Sequence, residues 1–265
     1  MDLKLFEERY HISDKGSENA LLSISGIDIL KEEPMLAMLR KGSELVKGVG
    51  LEIGVSFIGI AFYGLVVAKQ LIMSQYNRVL DLSLDNLTIQ IESHNDHAHF
   101  VFKISELKWT DLPAEGREAA VLAEWHRYFA DTINPLIEAA ASSAGLKPSI
   151  VWNQYGARSA YAMDHVRQIV PEGPIRQLIN DDFSLLASLP GEIFNLGKNP
   201  FDFTPRYLDS PYKPGTQIML RSSCCMWYKR ENGVKCYNCP ILKDDERAEL
   251  KSKIEASIKV KEESA

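Results

Sequence analysis

The chain has 265 residues, 45% hydrophobic and 25% charged, an ordinary balance for a globular protein that excludes a disordered tail protein and a multi-span membrane protein. Thirty Lys and Arg against 36 Asp and Glu leave a net charge of −6. That argues against a nucleic-acid binder held by phosphate contacts and leaves local basic pockets open.

Residues 1–9 show no basic region followed by an apolar run and a small-residue cleavage site. The expectation is a reduced, cytoplasmic setting, extending at most to the inner face of the membrane. The sequon Asn86-Leu87-Thr88 is then an accident of composition. A short strand or turn region over 20–30 leads into a predicted helix over 33–47, with Pro34 in its first turn, where a missing N–H costs nothing. Residues 53–68 carry no charge and include Gly54, Gly59 and Gly64. The run is short of the roughly twenty residues that span a bilayer, so a buried core helix is expected and no stable membrane span.

Leu80, Leu82 and Leu84 alternate with polar residues, and after Asp85-Asn86 the parity passes to Leu87, Ile89 and Ile91. With Phe100, Phe102 and Ile104 on a third strand, this pattern predicts an antiparallel meander. Helical spacing returns over 114–145, with Gly145 as C-cap, and again over 148–170. The aromatic stretch 190–215 holds Pro200, Pro205, Pro211 and Pro214, which predict a long ordered loop without regular structure. A short strand over 217–220 enters the cysteine region, and Leu250, Ile254 and Ile258 predict a closing amphipathic helix. The expected class is α+β: helix-rich, with a small antiparallel sheet and a C-terminal four-cysteine loop. The expected division is a mainly helical 1–78 and a 79–265 part holding the sheet, helices and cofactor segment 216–240, or else one continuous domain.

All four cysteines fall between Cys224 and Cys239. A disulfide-stapled protein would spread them to close long loops. Cys236-x-x-Cys239 would suit zinc, but the adjacent Cys224-Cys225 is awkward for two ligands of one ion. A two-iron cluster divides its thiolates between two metals, so adjacent cysteines can serve opposite sides. Zinc remains the alternative, as the core of a zinc-stabilised binding or interaction module without redox activity.

Arg221-Ser222-Ser223-Cys224-Cys225-Met226-Trp227-Tyr228, followed by Cys236-Tyr237-Asn238-Cys239-Pro240, resembles the C-terminal signature of the FhuF-like siderophore-iron reductases. The resemblance implies a 2Fe-2S cluster on Cys224, Cys225, Cys236 and Cys239, through which electrons reach a ferric siderophore, so an oxidoreductase. It implies an external donor (a ferredoxin, a flavodoxin or a reductase), since no flavin or nicotinamide site is legible; the charge balance already argues against a nucleic-acid partner. That family is similar to the C-terminal part of aerobactin-type siderophore synthetases, which implies a helix-rich fold with a small sheet. Trp152-Asn153 resembles a feature near the ligand side of those proteins. Arg206, Lys213 and Arg221 are candidates to orient an anionic chelate.

Other signals weigh less. His94, His97 and His99 form a histidine cluster at a polar turn, where a metal is conceivable. The segment 48–54 resembles a dinucleotide loop, but no apolar strand precedes it. Ser222 and Ser223 are placed to hydrogen-bond cluster sulfurs or simply to solvate the loop, and Trp227 and Tyr228 to shield the site or pack in the core. Asp181-Asp182 is expected to cap or solvate a turn.

Overall fold

The computed structural model describes residues 4–94 and 97–263. The first three residues, the tip of the histidine turn at 95–96 and the His94 side chain lie outside the described part.

Helix α1 (Lys4–Tyr10) turns through His11, at φ 53°, into β1 (Ile12–Ser13), and β2 (Leu22–Ser25) follows. Helix α2 (Glu32–Leu45) begins Glu32-Glu33-Pro34, placing carboxylates at the positive end of the helix dipole and proline where no N–H is needed. Helix α3 (Leu51–Tyr76) is the axis of the core and packs on α2. The two helices touch closely at Gly54, where a Cβ would stand 2.5 Å from the Leu39 carbonyl oxygen. By length and composition α3 could cross a membrane, yet 61% of its most apolar window is buried within the protein.

The central sheet has the order β1-β5-β4-β2. Strands β4 (Leu87–His94) and β5 (His97–Ile104) form an antiparallel hairpin with Ile89 opposite Phe102 and Ile91 opposite Phe100. The expected meander is corrected here. Strand β3 (Arg78–Leu80) pairs with β6 (Trp109–Asp111) in a separate ribbon, and β1 joins β5 in parallel. The cause is Asn86. Its amide donates to the carbonyls of Asp81 (2.9 Å) and Glu106 (2.8 Å) and accepts from the Glu106 N–H (2.9 Å), so the chain turns a 3-10 corner over Leu84–Asn86 and leaves the sheet.

The long helix expected over 114–145 is α4 (Arg117–Tyr128), a π-helical turn (Phe129–Ile133) and α5 (Asn134–Ser143), ending before Gly145 at φ 66°. The next helical stretch breaks at 153–154 into α6 (Ser149–Trp152) and α7 (Tyr155–Ile169). Helix α8 (Pro174–Ser188) was not anticipated and overturns the expectation for Asp181-Asp182. Asp181 is exposed on this helix. Asp182 is fully buried, paired with Arg117 at 2.6 Å and accepting from the Ser74 hydroxyl at 2.6 Å.

Between Pro205 and Pro211 there is room for a three-residue strand, β7 (Tyr207–Asp209), which pairs with β8 (Gln217–Met219). The prolines therefore confine regular structure without abolishing it. Otherwise 190–215 is irregular apart from a 3-10 turn, and it is anchored by Phe194 and Phe201 in an aromatic cluster with Phe129, Trp152 and Tyr155. Helix α9 (Asp244–Glu263) closes the chain, with Leu250, Ile254 and Ile258 half-buried along one stripe. One hydrophobic core runs from Phe6 to Phe201, across residue 78.

Candidate functional site

Strand β8 delivers the chain directly to the cysteines. The segment is closed at its base, where the Arg221 N–H donates to the Asn238 carbonyl (3.0 Å) and the Asn238 amide donates to the Met219 carbonyl (2.9 Å). Between these ends the loop reverses through Met226 (φ 57°) and Asn232 (φ 55°). At Gly233 a Cβ would sit 2.5 Å from the Tyr228 carbonyl oxygen, so only glycine fits the reversal. The Cys239 N–H donates to the Cys236 carbonyl (3.0 Å), which forms the tight turn of the C-x-x-C pair.

The loop docks on the junction of α2 and α3. Val49 N–H reaches the Lys229 carbonyl (3.1 Å), Glu231 N–H reaches the Lys47 carbonyl (2.8 Å), and Lys229 Nζ pairs with Glu52 at 2.5 Å. The Ser56 hydroxyl of α3 donates to the Cys225 carbonyl at 2.8 Å. Trp227 stacks on Phe57 with ring centroids 5.6 Å apart, and the Arg230 guanidinium lies 4.0 Å from the Trp227 ring centre. The glycine-rich 48–54 segment thus serves as the seat of the cysteine loop. From α9, Arg247 donates to the carbonyls of Tyr237, Cys239 (3.1 Å) and Leu242 (3.0 Å).

All four cysteines are free thiols; Cys239 is buried and the others half-buried. They fall into two pairs. Cys224 and Cys239 have sulfurs 3.9 Å apart, and Cys225 is hydrogen-bonded to Cys236. The Met226 N–H donates to the Cys224 sulfur at 3.3 Å and the Trp227 N–H to the Cys225 sulfur. The two pairs differ electrostatically. The hydrogen bond from Cys236 brings the Cys225 thiol down to about 5, against the effect of burial and helped by Arg221, the Trp227 N–H and Arg158. The same contact holds the proton on Cys236 and drives its thiol far up, while burial raises Cys224 to about 11.

Beside this loop lies a cleft of about 420 Å³ between α3, α7 and β8. Its wall contains Cys225 and Ser223 from the loop, together with Arg221, Arg158, Tyr63 and Tyr161. Helix α7 comes close because Gly156 and Ala157 are small: a Cβ on Gly156 would stand 2.9 Å from the Phe203 side chain, and the Ala157 N–H donates to the Ser222 hydroxyl oxygen at 3.0 Å. Burial lowers the Arg158 pKa, and the positive charge of Arg221 lowers it further.

Of the five residues nominated from sequence for substrate contact, Arg221 lies in the cleft wall. Arg206 and Lys213 are exposed on the β7–β8 ribbon and its turn and do not line the cleft. Trp152 is buried in the aromatic core against Phe129, Tyr155 and Phe194, where it fills space between helices. Asn153 is exposed at the break between α6 and α7. Sequence reasoning missed Arg158 and Tyr63. The available signal for Arg158 was a cation amid the small residues Gly156, Ala157, Ser159 and Ala160.

In the histidine cluster, His99 Nδ1 lies 3.4 Å from Nε2 of His11, and His97 is exposed. Among the described residues no three His, Cys, Asp or Glu side chains form a group able to hold a single metal ion.

Comparison with known families decides between these cofactors. Residues 221–240 match the family model of the FhuF 2Fe-2S C-terminal domain. The resemblance read from the motif holds over this segment, which includes all four cysteines, and the cofactor of an FhuF-type C-terminal domain is a 2Fe-2S cluster. No curated protein matches the chain. The residues present fit the cluster: an FhuF-type segment needs two thiolates for each of two irons, and here adjacent Cys224 and Cys225 each face a different partner from the C-x-x-C pair.

Proposed function

We propose that this protein is a ferric-siderophore reductase, an oxidoreductase that delivers one electron to siderophore-bound Fe(III) so that iron leaves as Fe(II). The supporting observation is the position of Cys225, whose side chain belongs both to the cysteine set and to the wall of a cleft of about 420 Å³. A chelate docked there has its ferric ion next to the cofactor ligands.

Cys224 and Cys239 would hold one iron, and Cys225 and Cys236 the other. When bound, the cluster supplies electrons singly at low potential, replenished by an external ferredoxin, flavodoxin or reductase. The chain's own residues do the rest. The Met226 and Trp227 N–H groups aimed at sulfur stabilise negative charge there. Trp227, stacked on Phe57, covers one side of the loop from water. Tyr63, Tyr161, Ile218 and Met219 give the cleft apolar walls that seat a bulky chelate. One added electron makes the ferric substrate a larger, less highly charged ion, which hard oxygen donors hold far less tightly. Free thiols of this kind suit a cytoplasmic setting.

The test is anaerobic titration of the reduced protein with ferric chelates, following the visible spectrum, with an Fe(II)-specific chromophore to trap the product. Re-oxidation with stoichiometric Fe(II) is expected for at least one siderophore class. A reduced protein that no ferric chelate re-oxidises would overturn the proposal.

A further inference from the structure

We infer that the cleft beside Cys225 selects ferric chelates of net negative charge, with Arg158 and Arg221 as the pair of side chains that position them. This rests on the reductase reading for the nature of the substrate, and it adds the substrate's charge class.

The two guanidinium groups come from different elements, Arg158 from α7 and Arg221 from the cysteine loop, and they line the same cleft. No Asp or Glu lines it. Several other sheltered cations among the described residues have partners: Lys69 has Glu124, Arg117 has Asp182, Lys229 has Glu52, and Arg247 has three carbonyls, whereas Arg230 lies on the Trp227 ring with its Nε unpartnered. Among the described residues neither Arg158 nor Arg221 has a carboxylate within ion-pair distance; Arg221 Nε donates to Asn238 Oδ1 at 3.5 Å. Two like charges facing a half-enclosed space without a counter-charge raise the free energy of the empty cleft, and burial adds to this at Arg158. An anion entering the cleft relieves both effects and gains planar, charge-assisted hydrogen bonds. A neutral or cationic chelate gains neither. The cysteine thiolates attract the same arginines, but they reach the cleft only through Cys225, which leaves the guanidinium groups open toward a ligand.

The deciding measurement is binding of redox-inert gallium(III) chelates to the cluster-loaded protein, by tryptophan fluorescence, so that affinity is read without electron transfer. Three probes span the charge range: a trianionic tricatecholate, an anionic citrate-dihydroxamate and a neutral trihydroxamate. At low salt the anionic probes should bind at least about tenfold tighter than the neutral one, a margin of ~1.4 kcal/mol, and added salt should shrink that margin. Arg158→Gln should remove most of the anionic advantage and leave the neutral probe unchanged, while Arg158→Lys should keep part of it. Wild-type protein that binds the neutral probe as tightly as the anionic ones overturns the inference without any variant having to fold. So does an Arg158→Gln protein that loses affinity equally for all three, which would mean that Arg158 serves only the cysteine loop. Failure of every ferric counterpart to re-oxidise the protein, with the gallium ranking intact, would remove the reductase reading and leave the charge selectivity standing.

Discussion

The sulfur of Cys239 lies 3.9 Å from that of Cys224, fifteen residues earlier, while Cys225 turns to Cys236. Each adjacent cysteine therefore contributes to a different pair, an arrangement that fits two thiolates on each of two irons. Replacing Cys239 with Ser leaves one side of the site with a single thiolate. The expected outcome is loss of most protein-bound iron and sulfide and of the visible absorption, measured after anaerobic purification. A C239S protein with two irons and full colour would remove Cys239 from the ligand set.

Arg247 holds the far end of the cysteine loop from outside it. Its guanidinium donates to the carbonyls of Tyr237, Cys239 and Leu242, and it stands 5.9 Å from the Tyr237 ring centre. Hydrogen bonds to a charged group are each worth roughly 1.5–3 kcal/mol, so Arg247→Ala should free the C-x-x-C turn locally without unfolding the helical core. Faster loss of iron to an external chelator is expected, with little change in helical content by circular dichroism. Equal rates of iron loss in wild type and variant would contradict the clasp role.

The cysteine site was legible because all four cysteines fall in one short segment whose Cys-Cys, ten residues, Cys-x-x-Cys spacing resembles a known signature, although the pairing of the thiols was not. The helices were legible for a similar reason: Pro34 at the start of 33–47 and the uncharged run within 53–68 are local properties. What stayed hidden depends on single long-range contacts. The amide of Asn86 joins Asp81 to Glu106 and so diverts β3 from the sheet, and nothing in the alternation of Leu80, Leu82 and Leu84 announces this. Trp152-Asn153 looked like a ligand feature, yet the indole fills the core, because a large ring is worth more buried among Phe129 and Phe194 than exposed in a cleft. Arg158 was missed because its importance comes from Arg221, sixty-three residues away, sharing its cleft.

The approach of α2 and α3 sets the platform on which the cysteine loop sits, and Gly54 sets that approach. A methyl group there would stand 2.5 Å from the Leu39 carbonyl oxygen, a contact that backbone cannot yield cheaply. Gly54→Ala should therefore destabilise the fold by about 1–3 kcal/mol despite the better helix propensity of alanine. Chemical denaturation measures the change, and an unchanged or raised midpoint would show that the helices separate at little cost.

The interior also contains an acid-sensitive joint. Lys69 of α3 is fully buried and pairs with Glu124 of α4 at 2.5 Å, and Arg127 grips the same carboxylate at 2.7 Å. Burial alone would raise the Glu124 pKa, but the Lys69 charge and the hydrogen bonds from Arg127 and Lys69 reverse this and bring it below its ordinary 4.5. A carboxyl with a lowered folded pKa contributes stability that is complete above the unfolded value. That contribution is lost as pH falls through the folded one. Glu124→Gln should cost about 3–5 kcal/mol near neutral pH: burial already lowers the Lys69 pKa, and without Glu124 the amine must either lose its proton or stand as a buried charge without a counter-ion. The variant should also lack the part of the acid-induced loss that titrates below pH 4.5 in the wild type. Urea denaturation of both proteins across pH 3–7 reads both effects, and acid limbs of equal steepness would show that Glu124 does not control the joint.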